Sequence, residues 1–208
     1  MAKPRGPAGL RGKAVSVNPD RGVARTMSDM LVKLYALPEF APLAAELRNV
    51  GIEIRRADPA EKPAIVQWVG RQFRESWAVE CDVAFQRGPV ACFIAVIRGQ
   101  VSAAKADRYQ LPPDALVGFA CYDATRKGIF GPEGVHPCHR GRGIGKALLL
   151  ACLHAMKDER YAYAVIGWAG PVEFYSRTVG ATVIEGSEPG IYRGPLVGFT
   201  DEDGENTR

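Results

Sequence analysis

The sequence predicts a mixed α/β fold on one sheet of about seven strands. Three observations carry that expectation. Val90–Ile97 is a continuous apolar run of strand length, the pattern of a central strand covered on both faces. Around it, segments rich in β-branched and aromatic residues alternate with segments whose apolar residues recur at three- and four-residue steps. Ile129–His136 then passes through a glycine-rich loop straight into a strongly apolar helix, the connection that a parallel crossover needs.

The elements follow in order. Residues 1–26 lack hydrophobic periodicity and read as a disordered basic tail. In 27–50, Leu31, Leu34, Tyr35, Leu43, Ala44 and Leu47 stand at helical spacing around Pro38 and Pro42, predicting a short helical lead-in. Ile52–Arg56 alternates and reads as a strand. Asp58-Pro59 opens a helix through Ile65, Val66, Trp68 and Val69, with Asp as cap and Pro at the first position. Ser76–Phe85 reads as a second helix. After Val90–Ile97 comes a long polar connection over 100–114, then strands over Ala115–Asp123 and Ile129–His136. Gly141–Lys157 is a helix carrying Ile144, Leu148, Cys152, Ala155 and Met156 on one face. Tyr161–Trp168 is a strand, and Pro171 opens a helix to about Thr178. Ala181–Glu185 and Ile191–Phe199 form a closing strand pair, and 201–208 is an acidic tail. The main domain is therefore expected over 51–200.

Composition narrows the class. The chain has 208 residues, 47% hydrophobic and 24% charged, ordinary values for a soluble globular protein. No apolar run reaches the roughly 18–20 residues of a membrane span, and no signal peptide is evident. The net charge is +4, but Lys3, Arg5, Arg11, Lys13, Arg21 and Arg25 against Asp20 place +5 in the tail and leave −1 for the remainder. No basic stripe stands outside the glycine loop, so no nucleic-acid or membrane partner is expected. Cys81, Cys92, Cys121, Cys138 and Cys152 are odd in number and contain no C-x-x-C pair, which predicts free thiols in a reducing, cytoplasmic compartment.

The most informative segment runs from Val135 to Leu149. Glycines let a backbone approach an anion closely, and the unpaired N–H groups of a helix start point at it. Arg140, Arg142 and Lys146 add positive charge. The nucleoside-triphosphate template G-x-x-x-x-G-K-[ST] fails, because Arg140 stands at its first Gly and Ala147 at its hydroxyl position. The dinucleotide template G-x-G-x-x-G fits Gly141 and Gly143 but ends on Lys146.

What fits is R-x-x-G-x-G, as Arg140-Gly141-Arg142-Gly143-Ile144-Gly145. It resembles the pyrophosphate loop of the GNAT family of acyl-CoA-dependent N-acyltransferases. Val135-x-Pro137 is similar to that family's V-x-P at the end of its fourth strand, and Ala147-Leu148-Leu149 to its A-L-L helix. Phe174-Tyr175 on a later helix and Gly180-Ala181 after it extend the likeness. The resemblance covers roughly 51–199 and is most specific over 129–181. It implies the GNAT fold, with helices on both faces of the sheet, and transfer of an acetyl group from acetyl-CoA to an amine by direct attack in a ternary complex.

The resemblance also implies roles. Val135 would hold the pantetheine arm through its backbone, and Arg140, Gly141, Arg142, Gly143, Ile144, Gly145 and Lys146 the pyrophosphate. Tyr175 is the candidate general acid for the leaving thiolate. Gly180 lies five residues after it, where the family has its glycine at four. The Asn that the family often carries after its fifth strand is missing from Trp168-Ala169-Gly170-Pro171. Glu133, the only carboxylate in Ile129–Val135, is the candidate base. Gly131-Pro132 and Gly134 around it are residues that bulge a strand and re-aim a side chain. Trp77, Glu80 and Glu188 lie in the segments that meet the acceptor in this fold, where acids and aromatics suit an amine-bearing small molecule or peptide. His136, Cys138 and His139 lack a second ligand cluster, so no metal is expected. A homodimer is compatible with the sequence. The alternative is a non-catalytic acyl-CoA-binding module of the same fold, to which the shifted glycine and missing Asn point.

Overall fold

The computed structural model describes residues 27–98, 114–188 and 190–191. The segment 1–26, the connection expected over 100–114 except its last residue, the strand expected over Ile191–Phe199 except its first, and the acidic segment 201–208 lie outside the described residues.

The chain runs β1 (Met30–Lys33), α1 (Ala41–Asn49), β2 (Ile52–Arg56), α2 (Lys62–Gln72), α3 (Glu75–Ala84), β3 (Cys92–Ile97), β4 (Ala115–Tyr122), β5 (Ile129–Val135), α4 (Ile144–Asp158), β6 (Tyr163–Ile166), α5 (Val172–Val179) and β7 (Thr182–Val183). The sheet order is β2-β3-β4-β5-β6-β1-β7. β2 to β5 form an antiparallel meander, and β5 and β6 pair in parallel across the α4 crossover. No described helix is long and apolar enough to cross a membrane.

Local chemistry explains most of this. β3 is buried on both faces, as its unbroken apolar run predicts. Asp58 accepts the Ala60 N–H (2.8 Å) while Glu61 accepts the Asp58 N–H (2.8 Å), a capping box that starts a 3-10 turn leading into α2. Ten residues of α4 are buried, including Ile144, Leu148, Cys152, Ala155 and Met156. The helix fits because a Cβ at Gly118 of β4 would stand 3.0 Å from Leu148 and 3.3 Å from Ile144.

One expectation is corrected. The lead-in over 27–50 was expected to be helical, and only its second half is. Met30–Lys33 is a strand seated between β6 and β7 in the sheet. Leu31, Leu34 and Tyr35 satisfy a helical step, but Met30, Val32 and Leu34, all wholly buried, satisfy a two-residue step equally well. Pairing with β6, far along the chain, selects the strand. Seven strands are described as expected, with β1 a member that the sequence reading left out.

The faces of the sheet differ. α4 covers the face of Gly118, whereas Trp68, Phe73, Trp77 and Phe119 pack together on the other, with ring centroids 5.4–6.3 Å apart. The Phe73 ring lies directly on Gly134, where a Cβ would approach it to 2.5–2.9 Å. Gly134→Ala is therefore expected to cost about 1–3 kcal/mol through overpacking. Urea unfolding checks this, and an unchanged midpoint would contradict the close approach.

Candidate active site

A cleft begins where the parallel pair ends. β5 and β6 are in register only at Ile129↔Val165 and Phe130↔Ile166. At the next residue, Gly131, φ is +123°, a backbone region open essentially to glycine alone. The β4–β5 register shifts here, with Gly131 and Pro132 standing opposite Cys121 alone. β5 stays on β4 while the chain after β6 leaves, so 131–135 and 167–170 become two walls.

The wall on β5 presents free backbone. His136 donates its N–H to the Val117 carbonyl (2.9 Å), which makes Val117–His136 a bonded pair of the ladder. Bonded and non-bonded pairs alternate in an antiparallel ladder. Gly118–Val135 and Ala120–Glu133 are then non-bonded pairs, and the peptide groups of Glu133 and Val135 turn toward the side that β6 has left. Arg140 Nε donates to the Val135 carbonyl across 3.1 Å.

At the top of that wall the chain turns through Pro137–His139 into the glycine loop. Gly141 and Gly143 take φ of +75° and +79°, left-handed values that aim successive N–H groups inward. Gly143 is the N-cap of α4, with no side-chain cap, and the first bond of the helix is Ala147 N–H to the Gly143 carbonyl (3.0 Å). The N–H groups of Ile144, Gly145 and Lys146 thus have no partner within the helix. Arg140, Arg142 and Lys146 are exposed around them. The seven residues named from sequence, Arg140 to Lys146, run through this loop into the first turn of α4.

Glu133 and Val135 share the α4 face of β5, since a Cβ at Gly145 would meet Glu133 Oε1 at 3.3 Å and Val135 Cγ2 at 3.8 Å. Glu133 Oε1 is sealed from solvent and has no hydrogen-bond partner among the described residues. Burial pushes its carboxyl up to about 8. Tyr175, on α5, is 8% exposed, and its hydroxyl makes no hydrogen bond among the described residues. Burial, and then the nearby Glu133 charge, raise its phenol above the ordinary tyrosine range. The pair is a carboxyl that titrates near neutrality beside a phenol that stays protonated. Gly180 closes α5 with φ of +63°.

The residues proposed for the acceptor are dispersed. Trp77 packs on Phe73 and lies under the Arg74 guanidinium (4.6 Å), on the face opposite Glu133. Glu80 accepts from Thr125 Oγ1 (2.6 Å) in the β4–β5 turn, at the end of β5 remote from the loop. Glu188 accepts from Ser28 Oγ (2.6 Å) near the second wall. His136 Nδ1 accepts the Cys138 N–H (3.3 Å) within the loop turn.

Two groupings escaped the sequence reading. Cys81, Cys92 and Cys121 bring their sulfurs within 4.8 Å of one another in the core, fully buried like small apolar side chains. Burial raises the Cys121 thiol well above its ordinary range. The other is Ser28–Asp29, which holds the second wall. Its one local signal is an acid just before the alternating Met30, Val32 and Leu34.

Comparison with known proteins follows this geometry. The family model described as acetyltransferase (GNAT) family matches residues 62–180. No curated protein sequence matches the chain. Among solved structures, a GCN5-related glucosamine N-acetyltransferase region of a fungal multi-domain GH3 β-N-acetylglucosaminidase superposes with a TM-score of 0.57 at 16% identity, over 78% of this chain and 20% of that one. A GCN5-related N-acetyltransferase from Sphaerobacter thermophilus gives 0.47 at 20% identity, over 77% and 50%. One from Kribbella flavida gives 0.44 at 16% identity, over 77% and 55%. The chain thus spans a fifth to about half of these proteins.

The buried carboxyl has a measurable signature. Between about pH 4.5 and 8 Glu133 stays protonated in the folded protein while the unfolded chain ionises it, so stability falls across that window and levels above it. Glu133→Gln removes this loss. Its stability relative to the wild type is expected to rise by about 1 kcal/mol or more between pH 5 and 8.5. Urea titrations at both pH values check it, and a constant difference would contradict the sealed carboxyl.

Proposed function

Because the chain belongs to the acetyltransferase (GNAT) family, whose model spans more than half of it, we propose that it is an N-acetyltransferase that moves an acetyl group from acetyl-CoA to an amine by direct attack in a ternary complex. The observation that carries this reading is Glu133: a carboxylate oxygen buried without a partner among the described residues, on the wall of a cleft that ends in a glycine loop. A buried polar atom without a partner calls for an explanation, and a catalytic role is one.

The residues present fit the cofactor. The N–H groups from Gly141 to Lys146, with Arg140, Arg142 and Lys146, suit a pyrophosphate. The peptide groups of Glu133 and the N–H of Val135, turned away from β4, suit the amides of a pantetheine arm, and the Val135 carbonyl is held by Arg140. Acetyl-CoA, when bound, supplies an activated thioester. Glu133, in its ionised form, accepts a proton from the incoming ammonium at its carboxylate. An N–H beside Val135, aimed into the cleft, stabilises developing negative charge on the carbonyl oxygen, a contribution of about 10²–10³ in rate. Tyr175 would then give its phenolic proton to the departing sulfur, and its phenolate would take the second proton that the nitrogen sheds as it becomes an amide. The acceptor class is a primary amine on a small molecule or peptide.

Titration calorimetry with acetyl-CoA, with ATP and NADH as controls, tests the reading. Saturable one-to-one binding of acetyl-CoA alone is expected, followed by thiol release across an amine panel. Absence of binding overturns the reading, and binding without turnover on any amine leaves the non-catalytic module. Gly143→Glu, which sets a carboxylate in the cradle, is expected to weaken acetyl-CoA by on the order of 10²-fold or more. Undiminished affinity would displace the pyrophosphate from this loop.

The pH dependence separates the two proton carriers. The base must be ionised, so kcat/KM should rise with pH to a midpoint near 8. Glu133→Gln should lower the rate by about 10²–10⁴ and erase that limb. Tyr175→Phe should lower kcat by on the order of 10²-fold while acetyl-CoA affinity stays as it was. An unaltered profile in Glu133→Gln, or full activity in Tyr175→Phe, removes that residue from its role.

A further inference from the structure

The departure of the chain from β5 has a second cause, on the far wall. Beyond β6, the Trp168 N–H donates to Asp29 Oδ1 (2.9 Å) and the Ala169 N–H to the Ser28 carbonyl (3.0 Å). Ser28 and Asp29 immediately precede β1, whose pairing with β6 begins at Met30↔Ile166. The contact between these segments therefore continues past the point where β5 lets go, and it turns the peptide groups of 168 and 169 away from β5. Trp168 has φ of +47°. A bulky residue holds such a conformation, at a cost of about 1–3 kcal/mol, only where its surroundings over-determine it.

Asp29 is itself gripped. Its N–H donates to Ser187 Oγ (2.9 Å), and its carbonyl accepts the Ile184 N–H (2.9 Å). Ser187 Oγ also donates to the Ile184 carbonyl (2.6 Å). The Asp29 side chain is nearly sealed, and Gly190 closes over it so tightly that a Cβ there would stand 3.0 Å from Oδ2. A carboxylate costs free energy to bury, and here its position answers to the peptide of Trp168.

We infer that Asp29 is a positioning residue of the active site: by holding the Trp168 N–H it fixes the second wall of the cleft, which makes the segment before β1 a working part of the site. The inference rests on the reading of the cleft as the place of acyl transfer. The required chemistry is one side-chain acceptor at a set distance from the Trp168 N–H. Asn offers the same carbonyl oxygen, and Ala offers none. Without the acceptor the 167–170 wall shifts against Glu133 and β5, and a misplacement of about 1 Å costs on the order of 10²-fold in rate.

The test compares the full-length wild type with Asp29→Ala, Asp29→Asn and Ser187→Ala, measuring kcat, KM for both substrates, melting temperature and circular dichroism. Asp29→Ala is expected to lose on the order of 10²-fold in kcat at temperatures where it is fully folded. Asp29→Asn should regain most of that loss. A purely structural role would lower the melting temperature without separating the kcat values of the Ala and Asn variants. Wild-type kinetics in folded Asp29→Ala, or an Asn variant as impaired as the Ala variant, overturns the inference. Should Asp29→Ala fail to fold, Ser187→Ala loosens the same grip from outside; reduced kcat supports the inference and wild-type kinetics overturns it. If the wild type neither binds acetyl-CoA nor turns over, the proposed function fails first; an active wild type with an indifferent Asp29 removes the positioning role alone.

Discussion

The parting of β5 from β6 after Phe130 is the constraint on which the rest of the site depends. Two parallel strands that stayed paired would consume the peptide groups of 131–135 and leave no space between them. Gly131 makes the break, because its φ of +123° is closed to other residues. The shift against β4 lets β5 keep its place in the sheet while it does so. Peptide groups freed in this way cannot remain buried and unsatisfied. They must face water or a ligand, and this requirement converts a flaw in a sheet into a binding edge.

The surroundings hold the gap at a defined width. α4 lies with its start against Glu133 and Val135, which Gly145 permits by having no side chain there. Its buried residues fix that end to Gly118, so the cradle formed by Gly141 and Gly143 is positioned by the hydrophobic core rather than by the loop. On the opposite face Phe73 presses on Gly134. Ser28 and Asp29 draw the other wall outward. Gly118, Gly134 and Gly145 serve here as close-approach points, each met by a neighbour's side chain, whereas Gly131, Gly141 and Gly143 serve through their positive φ.

Electrostatics follow from the same packing. Glu133 Oε1 lies where α4 and the sheet exclude water, and no hydrogen-bond donor among the described residues offsets its burial. Its proton affinity therefore rises. Tyr175 shares that environment, and the Glu133 charge reinforces its retention of a proton. The two groups are poised in opposite senses by one desolvated space. The cost falls on stability, and the large core around α4 and β3 offsets it.

Several of these features were legible in the chain. The order of strands and helices, the cap at Asp58, the loop from Arg140 to Lys146 and the bulge at Gly131-Pro132 are all carried by contiguous residues, and contiguous residues have periodicity and spacing that can be read. Glu133 was legible as the sole carboxylate of its strand. Other features were not. Met30–Lys33 is a strand only because β6 and β7 lie on either side of it, and its own residues satisfy two periods at once. Trp77, an aromatic among acids, lies on the far face from Glu133 because Phe73 and Phe119 draw it there. The convergence of Cys81, Cys92 and Cys121 has no spacing motif. The sequence by itself determined the family, the fold class and the glycine loop, since these rest on local backbone preference and on short-range pattern. Only the tertiary structure decided which carboxyl oxygen loses its water, which peptide Asp29 bonds and which face of the sheet the aromatics pack on. Desolvation and packing are set by groups distant along the chain, and no window of sequence contains them.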